Sequence, residues 1–157
     1  MSTQDSSFPQ RKRLAHGVLG NDWQATILFD TVCTRNRHSW LANDTMHQLL
    51  REVWSESSRW QVGRYILMPD HIHFFVAATS DTIDYENWCR YWKSLFTKRH
   101  REPLHRWQES HWDTRMRSQR QYEDKWEYVR CNPVRAGLVA HAEDWPYQGT
   151  LFPFVWD

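Results

Sequence analysis

Two histidines in the segment MPDHIHFFV, residues 68–76, are the first candidates for chemistry in this sequence. His71 and His73 stand one residue apart in an apolar run that is typical of a β-strand. Because side chains alternate faces along a strand, both imidazoles would point the same way, with Cβ atoms roughly 7 Å apart. Two neutral imidazoles can hold one divalent metal and leave positions open for water or substrate oxygens. Histidines that only pack in a core show the same pattern, so both interpretations stay open at this point.

Tyr128 and Asn132 are possible partners for the histidine pair. They are four residues apart in a predicted helix and share one face, where an amide oxygen could complete a metal site beside a phenol. A phenol with an ordinary pKa near ~10 is a poor nucleophile, but it can form a covalent phosphodiester with a polarised phosphate. A metal would bind that phosphate and orient it for in-line attack. Tyr122 lies on a different face of the helix, and the alternative for Tyr128 is a packing role.

The elements that position these residues alternate in type along the chain. The sequence predicts strands at 25–34, 62–68, 71–79 and, as a short fourth one, around 111–117. Asn43, Asp44 or Thr45 can cap the first helix, and Asp81 or Thr82 the second, whose apolar stripe is Trp88, Tyr91, Trp92, Leu95 and Phe96. Ser118 and Gln121 have capping-box spacing for the last helix, which should end near Asn132, before Pro133 and Gly137.

This order predicts an α+β fold with a ferredoxin-like, split β-α-β core. The core would contain a four-stranded antiparallel sheet and one additional C-terminal helix, the helix that carries Tyr128. With 157 residues the chain fits one domain. Residues 1–20 are polar and without a clear period, which predicts a flexible N-terminal arm, followed by a single domain over 21–157.

The composition favours a soluble protein of the cytoplasm. Three cysteines lie far apart, so the sequence indicates neither a disulfide framework nor a cysteine zinc site. No apolar stretch has the length of a membrane span, and the first residues lack the apolar segment of a signal peptide. Eleven tryptophans are many for this length, and some of their rings could face a ligand.

Positive charge is concentrated in the second half, although the net charge is only +1. Residues 90–135 contain 12 Lys and Arg against 6 Asp and Glu. A basic patch with aromatic residues among the cations is typical of a surface that binds single-stranded nucleic acid. The candidates for phosphate contacts are Arg90, Lys93, Lys98, Arg99, Arg115 and Arg117, the last two expected beside the histidines. Solvated helix faces are the alternative for each of them.

Four segments of this sequence together resemble a known family. YILMPDHIHFFV, HWDTRMR, WEYVRCNPVRAGLV and DWPY are similar to the REP-associated tyrosine transposases, part of the single-tyrosine HUH superfamily that includes insertion-sequence transposases. The resemblance covers roughly residues 23–147. It implies a ferredoxin-like core, dependence on Mg²⁺ or Mn²⁺, and cleavage and rejoining of single-stranded DNA through a 5′-phosphotyrosine link.

The resemblance also assigns roles to residues by their position. His71 and His73 take the place of the metal-binding HUH pair, with Ile72 between them. Tyr128 takes the place of the nucleophile and Asn132 that of the third metal ligand. The DNA partner implied is a hairpin like a repetitive extragenic palindrome, bound by a single chain, with a homodimer as the alternative. Two departures are the nearly neutral net charge and Asn132, where some members have Gln.

Three functions therefore follow from the sequence. The first is a metal-dependent endonuclease and strand transferase for hairpin-bearing single-stranded DNA. The second is a domesticated protein that binds DNA hairpins without cutting them. The third is an unrelated metallohydrolase in which the histidine pair activates water; it needs a third strong ligand, and Asn132 is a poor one for zinc.

Overall fold

A computed structural model of the protein describes residues 26–79 and 83–154. The predicted arm, residues 1–20, lies outside the described residues, as do 21–25 at the start of the predicted domain. The helices are α1 (Asp44–Glu56), α2 (Tyr85–His100), α3 (Gln119–Arg130) and the single turn α4 (Asn132–Arg135). The strands are β1 (Ile27–Thr34), β2 (Trp60–Leu67), β3 (His71–Ala78), β4 (Trp107–Met116) and β5 (Gln148–Thr150).

The strands form one antiparallel sheet with the order β4-β1-β3-β2-β5. The order of β1 to β4, with α1 and α2 as the connections, is that of the predicted split β-α-β core. The predicted count of four strands is wrong, because β5 pairs with β2 and forms a fifth strand at the edge. β5 has three residues, QGT, without an alternating apolar pattern, so local sequence gives no signal for it.

Side-chain caps fix the starts of α1 and α3 where the sequence placed them. The Asn43 side chain accepts a hydrogen bond from the amide of Met46 at 2.9 Å. The Ser118 hydroxyl accepts one from the amide of Gln121 at 3.0 Å, and the Gln121 side chain accepts one from the amide of Arg117 at 2.7 Å. These caps satisfy amides that have no partner inside the helix. Both predictions are confirmed, with Asn43 chosen among the three candidates for α1.

The start of α2 and its buried face differ from the prediction. The predicted caps Asp81 and Thr82 lie outside the described residues, and the helix is capped instead by Asp84, which accepts from the amide of Asn87 at 3.4 Å. The buried residues of α2 are Tyr85, Trp88, Cys89, Trp92 and Phe96. Tyr91 was predicted in the stripe but is 54% exposed. The buried face of α2 therefore includes Cys89 in place of Tyr91, because a cysteine side chain is small and apolar enough to be buried.

The sheet separates two hydrophobic clusters. Alternate residues of β1 and β3 face α1 and α2 and form the larger cluster, which contains Leu28, Val32, Ile72, Phe74, Val76, Trp54, Trp88 and Trp92 among others. The other residues face α3 and form a smaller cluster of Ile27, Phe29, Phe75, Ala77, Met116, Tyr122 and Val129. Full burial of a large apolar side chain contributes about 1.5 to 3 kcal/mol, so the smaller cluster is enough to hold α3 against the sheet.

β4 is an edge strand and is longer than predicted. It begins at Trp107, which is buried, four residues before the predicted segment 111–117. The intervening residues, QES, are polar and partly or fully exposed at the edge of the sheet. This part of the strand therefore lacks the apolar pattern from which a strand is predicted. None of the helices in the described residues is long and apolar enough to span a membrane.

Candidate active site

The two histidines lie side by side on the face of the sheet that α3 covers. In β3, His71 and His73 alternate with Ile72 and Phe74, which face the larger cluster, as the sequence predicted. The imidazole rings are 4.7 Å apart between centroids and nearly perpendicular, at 79°. The ring of His73 also stacks on Phe29 of the smaller cluster, at 5.5 Å. The pair is therefore held at the margin of the core beneath α3.

Hydrogen bonds engage the same nitrogen of each imidazole. The Nδ1 atom of His71 is 2.7 Å from Oδ1 of Asp70, and the Nδ1 atom of His73 is 2.8 Å from the hydroxyl of Thr31. No hydrogen bond to either Nε2 atom is found among the described residues. A carboxylate or hydroxyl that binds one ring nitrogen, with the other left open, is the usual support of a metal-binding histidine. The pair therefore presents two Nε2 atoms to a ligand.

Both imidazoles are neutral at physiological pH. Burial lowers the pKa of His73 to about 3, and the neighbouring imidazole of His71 and the positive charges of Lys125, Arg37 and Arg135 further oppose its protonation. Burial also lowers the pKa of His71, although the hydrogen bond and charge of Asp70 oppose it. Neutral imidazole is the form that coordinates a metal. The site therefore needs no deprotonation before an ion binds.

Arg37 fixes the carboxylate that supports His71. Its Nε atom donates to Oδ2 of Asp70 at 2.8 Å. Burial raises the pKa of Asp70, but the hydrogen bonds from Arg37 and His71 outweigh it and lower that pKa below its usual value. Asn36 and Arg37 both have positive φ angles, of 57° and 56°. This left-handed backbone costs of order 1 kcal/mol or more per residue and is found where surrounding contacts enforce it, often at functional sites.

Tyr128 is the exposed tyrosine of α3, with 63% of its surface accessible. Tyr122, on another face of the same helix, is 3% exposed in the smaller cluster, and burial raises its pKa to about 12. Lys125 lies one turn before Tyr128, with Nζ 5.3 Å from the centre of the Phe29 ring that stacks on His73. Tyr128 and Lys125 share a shallow depression of about 460 Å³. A nucleophilic tyrosine here would be accessible from solvent.

Asn132 does not continue the helix of Tyr128. α3 ends at Arg130, Cys131 keeps right-handed helical dihedral angles between the two helices, and Asn132 opens α4, which contains Pro133 and ends before Gly137, whose φ is 73°. The carbonyl oxygen of the Asn132 side chain accepts a hydrogen bond from the guanidinium of Arg135. Its role as a metal ligand stays a prediction, and the structure shows that this oxygen already has a partner.

Arg135 connects Asn132 to Tyr128. Its guanidinium also donates to the backbone carbonyl of Tyr128 at 2.6 Å and lies over the phenol ring, 4.0 Å from its centre. The charge of Arg135 also acts on His73. Sequence reasoning missed Arg37, Lys125 and Arg135. The spacing of Arg135, seven residues after Tyr128, could not show the contact because the helix breaks between them.

Most of the predicted phosphate contacts lie away from the histidines. Arg90, Lys93 and Lys98 line a groove of about 640 Å³ between α2 and β4, on the opposite face of the sheet. Lys93 donates to the backbone carbonyl of Gln108 at 3.1 Å, and burial lowers its pKa. Arg99 pairs with Glu56 of α1. Arg90 and Lys98 are therefore the members of this group that are available to a phosphate.

Arg115 and Arg117 flank the last residue of β4. Arg115 is paired with Leu28, so its side chain points to the face of α1 and α2 and not beside the histidines as predicted. The position of Arg115 was predicted wrongly because the sequence does not show which residues of β4 pair with which residues of β1. Arg117 is exposed and immediately precedes the cap of α3, close in sequence to the depression beside Tyr128.

A buried charged cluster lies on the face opposite the histidines. The imidazole of His111 bridges two carboxylates, with Nδ1 3.0 Å from Asp30 and Nε2 2.8 Å from Glu86. The hydroxyl of Tyr85 donates to the other oxygen of Asp30 at 2.5 Å. Burial opposes the charge of His111, but the hydrogen bonds and charges of Asp30 and Glu86 raise its pKa to about 9. The cluster joins β4 to β1 and α2 through a protonated imidazole.

We expect this cluster to stabilise the fold in a pH-dependent way. Because the pKa of His111 rises from an ordinary 6.5 to about 9 on folding, its stabilisation is complete below pH 6.5 and is lost as the pH rises through 9. This shift in the pKa of His111 corresponds to about 3 kcal/mol of unfolding free energy. Thermal and urea unfolding of wild type and His111→Gln should show a gap in unfolding free energy that narrows between pH 7 and pH 10. A gap that stays constant over this range would contradict the assignment.

Comparisons with known proteins agree with the motifs in the sequence. No protein-family model matches the chain. A REP-associated tyrosine transposase of Escherichia coli K12 is 29% identical over 150 residues, which cover 88% of this chain and 86% of that protein. A candidate REP-associated tyrosine transposase of Haemophilus influenzae Rd is 27% identical over 94 residues, 52% of this chain and 53% of that one.

A solved structure extends the agreement to the fold. The structure of a REP-associated tyrosine transposase bound to a REP hairpin matches with a TM-score of 0.68 and 28% identity, over 78% of this chain and 75% of that chain. In sequence and in fold, the chain is therefore similar to the REP-associated tyrosine transposases.

Proposed function

We propose that the chain is a metal-dependent endonuclease and strand transferase that cleaves and rejoins hairpin-bearing single-stranded DNA. One observation carries the proposal: His71 and His73, both neutral and both with Nε2 open, lie under the helix whose Tyr128 is exposed. The hairpin bound by the similar solved structure supports the choice of substrate. The protein would act as a single chain in the cytoplasm.

In this proposal Tyr128 is the nucleophile. Its phenol oxygen attacks the phosphorus of a phosphodiester and loses its proton to solvent, while the bond from phosphorus to the 3′ oxygen breaks and that oxygen takes up a proton. The product is a 5′-phosphotyrosine link and a free 3′ hydroxyl. Because the link conserves the phosphodiester energy, attack by a 3′ hydroxyl in the reverse direction rejoins the DNA. The positive charges of Lys125, Arg37 and Arg135 would hold the phosphate near His73.

The proposed ion is Mg²⁺ or Mn²⁺, which His71 and His73 would hold through their open Nε2 atoms, with phosphate and water oxygens as further ligands. When bound, it would offset the charge of the scissile phosphate and orient it for in-line attack. Asn132 would be the third ligand. Its side-chain oxygen accepts a hydrogen bond from Arg135, and the second lone pair of an amide oxygen would be available to the ion.

The ligands near the histidine pair also favour a second candidate, a protein that binds DNA hairpins without cutting them. Among the described residues, the groups of three His, Cys, Asp or Glu side chains that could hold a metal do not include His71 or His73. Without a strong third ligand, binding alone would remain. This candidate predicts tight, salt-sensitive binding of hairpin DNA without cleavage under any divalent metal. The metallohydrolase is less well supported. Among the described residues, the groups of three strong ligands are Asp30 with Cys89 and His111, and His111 with Glu86 and Asp113, which exclude both histidines of the pair.

A covalent-adduct assay tests the proposed function. The substrate is an oligonucleotide that carries a hairpin and single-stranded flanks, taken from any inverted repeat found in the DNA beside the gene. Incubated with the protein and Mn²⁺ and run on a denaturing gel, it should give a protein band shifted by covalent DNA. An oligonucleotide with one hairpin arm scrambled is the control and should give none. Tight binding of the intact hairpin without an adduct in Mg²⁺ or Mn²⁺ would establish the second candidate instead.

The support of His71 by Asp70 gives a further prediction. Asp70→Asn keeps the shape of the side chain but removes the charge that holds the Nδ1 proton of His71. We expect Mn²⁺ affinity, measured by isothermal titration calorimetry, to fall about 10- to 100-fold. Glu123→Gln is the control, because it removes a carboxylate from an ion pair with Arg64 elsewhere on the surface. Equal affinities for Asp70→Asn and wild type would exclude a supporting role for Asp70.

A further inference from the structure

Trp112 differs from the other tryptophans of the described residues. Seven of them are buried, and Trp126 is partly buried against the smaller cluster. Trp112 is 59% exposed. An indole left in water gives up most of the stabilisation that its burial would provide. Its place in the sheet explains what the exposed ring could contact.

The register of the sheet places Trp112 in one row with the histidine site. Trp112 in β4 is paired with Thr31 in β1, and Thr31 is paired with His73 in β3. Directly paired residues point to the same face, so the indole lies on the face of the histidines. Thr31 is also the residue whose hydroxyl binds Nδ1 of His73. With neighbouring strands about 4.8 Å apart, the backbone of Trp112 is about 10 Å from that of His73.

The row is open toward the edge of the sheet. β4 is an edge strand, and the next row toward its C-terminus, which joins Thr114, Phe29 and Phe75, belongs to the region covered by α3. Trp112 lies one row beyond it and remains accessible. The site therefore has two exposed aromatic residues, Tyr128 on α3 and Trp112 on β4, with the open Nε2 atoms and the cations around His73 beside them.

We propose that Trp112 forms a stacking platform for a nucleobase beside the phosphate bound at the histidine site. An exposed ring next to cations is the combination that binds single-stranded DNA, because the ring stacks on a base while the cations hold the backbone. Stacking on a base face is tolerant of sequence, so Trp112 would position the strand rather than read it. The inference rests on the proposed function for the identity of the ligand, and it assigns a subsite that the cleavage chemistry does not itself require.

The test separates stacking from cleavage. Tyr128→Phe protein without divalent metal is mixed with the hairpin oligonucleotide, which carries 2-aminopurine at successive single-stranded positions. Fluorescence quenching at one position reports a stacked base, and the titration gives the dissociation constant. Adding Trp112→Ala should abolish quenching at that position and weaken binding by about 5- to 150-fold. Trp112→Phe should keep most of both, because it keeps an aromatic face.

Tyr91→Ala is the matched control. Tyr91 is also an exposed aromatic residue, 54% accessible, but it lies on α2, away from the histidine face. We expect it to leave quenching and affinity unchanged. Binding and quenching by Trp112→Ala that equal those of the parent would overturn the inference even if wild type forms the adduct. Conversely, loss of quenching in Trp112→Ala with no adduct from wild type would overturn the proposed cleavage and leave the subsite in place.

Discussion

Replacing Tyr128 with phenylalanine should abolish the covalent adduct with hairpin-bearing DNA and lower strand cleavage by about 10³-fold or more. The change removes only the phenol oxygen that would form the bond to phosphorus, and no other group in the described site offers an equivalent nucleophile in its place. Because Tyr128 is 63% exposed, losing its hydroxyl leaves no buried polar group without a partner. The fold and the affinity for the hairpin should remain within about two-fold of wild type.

The measurement is a denaturing gel of wild type and Tyr128→Phe with labelled oligonucleotide and Mn²⁺, beside a binding titration. Tyr122→Phe is the matched control, since it makes the same change on the same helix but at a ring that is 3% exposed in the smaller cluster. This control should still form the adduct. An adduct of undiminished yield from Tyr128→Phe would show that another residue attacks the DNA.

The second large effect is expected at the histidine pair. His71→Ala or His73→Ala each removes one of the two open Nε2 atoms, so metal-stimulated cleavage should fall by about 10³-fold, in line with the several kcal/mol that a bound ion supplies to such a step. Binding of Mn²⁺, followed by calorimetry, should weaken in parallel. Binding of the hairpin in the absence of metal should change little, because the cations around the site remain.

His141→Ala provides the control for this experiment. His141 is exposed and precedes the short 3₁₀ helix Ala142–Asp144, far along the chain from the pair. It should cleave DNA like wild type. Loss of activity in both pair variants, combined with full activity in Tyr128→Phe, would instead identify the metallohydrolase of the third hypothesis. Retention of metal binding by His71→Ala and His73→Ala would exclude the pair as the metal site.

Local sequence was sufficient where a short pattern determines the structure. The alternation in HIHFFV predicted that His71 and His73 share one face, and the capping residues Asn43 and Ser118 predicted where α1 and α3 begin. These features depend on neighbours within a few residues, and the backbone geometry of strands and helices converts spacing directly into direction. The order of elements then predicted the split β-α-β core.

The remainder depends on contacts between distant segments. Asp70 meets Arg37 from 33 positions away, and that contact depends on two residues with positive φ that no pattern in the sequence marks. β5 is three residues long and becomes a strand only because β2 offers a free edge. Arg135 of α4 reaches the backbone carbonyl and the ring of Tyr128 in α3 across the interruption between the two helices. In each case the sequence contains the residues but not the geometry that brings them together.

The distribution of charge illustrates the same limit. The sequence shows one basic segment over residues 90–135, but the sheet divides it between two faces. Arg90 and Lys98 lie at the groove between α2 and β4, whereas Lys125 and Arg135 lie on the side of His73. A patch that is continuous in sequence is therefore two surfaces, and only the second lies beside the candidate nucleophile.

The most direct test of the account is to locate the bond between protein and DNA. Wild-type protein is allowed to react with the hairpin oligonucleotide in Mn²⁺, the adduct is digested with trypsin and nuclease, and the modified peptide is sequenced by tandem mass spectrometry. We expect a nucleotide attached through its 5′ phosphate to Tyr128, in the peptide that contains WEYVR. A nucleotide on any other residue, or hairpin cleavage that leaves no covalently modified peptide, would show that Tyr128 is not the nucleophile.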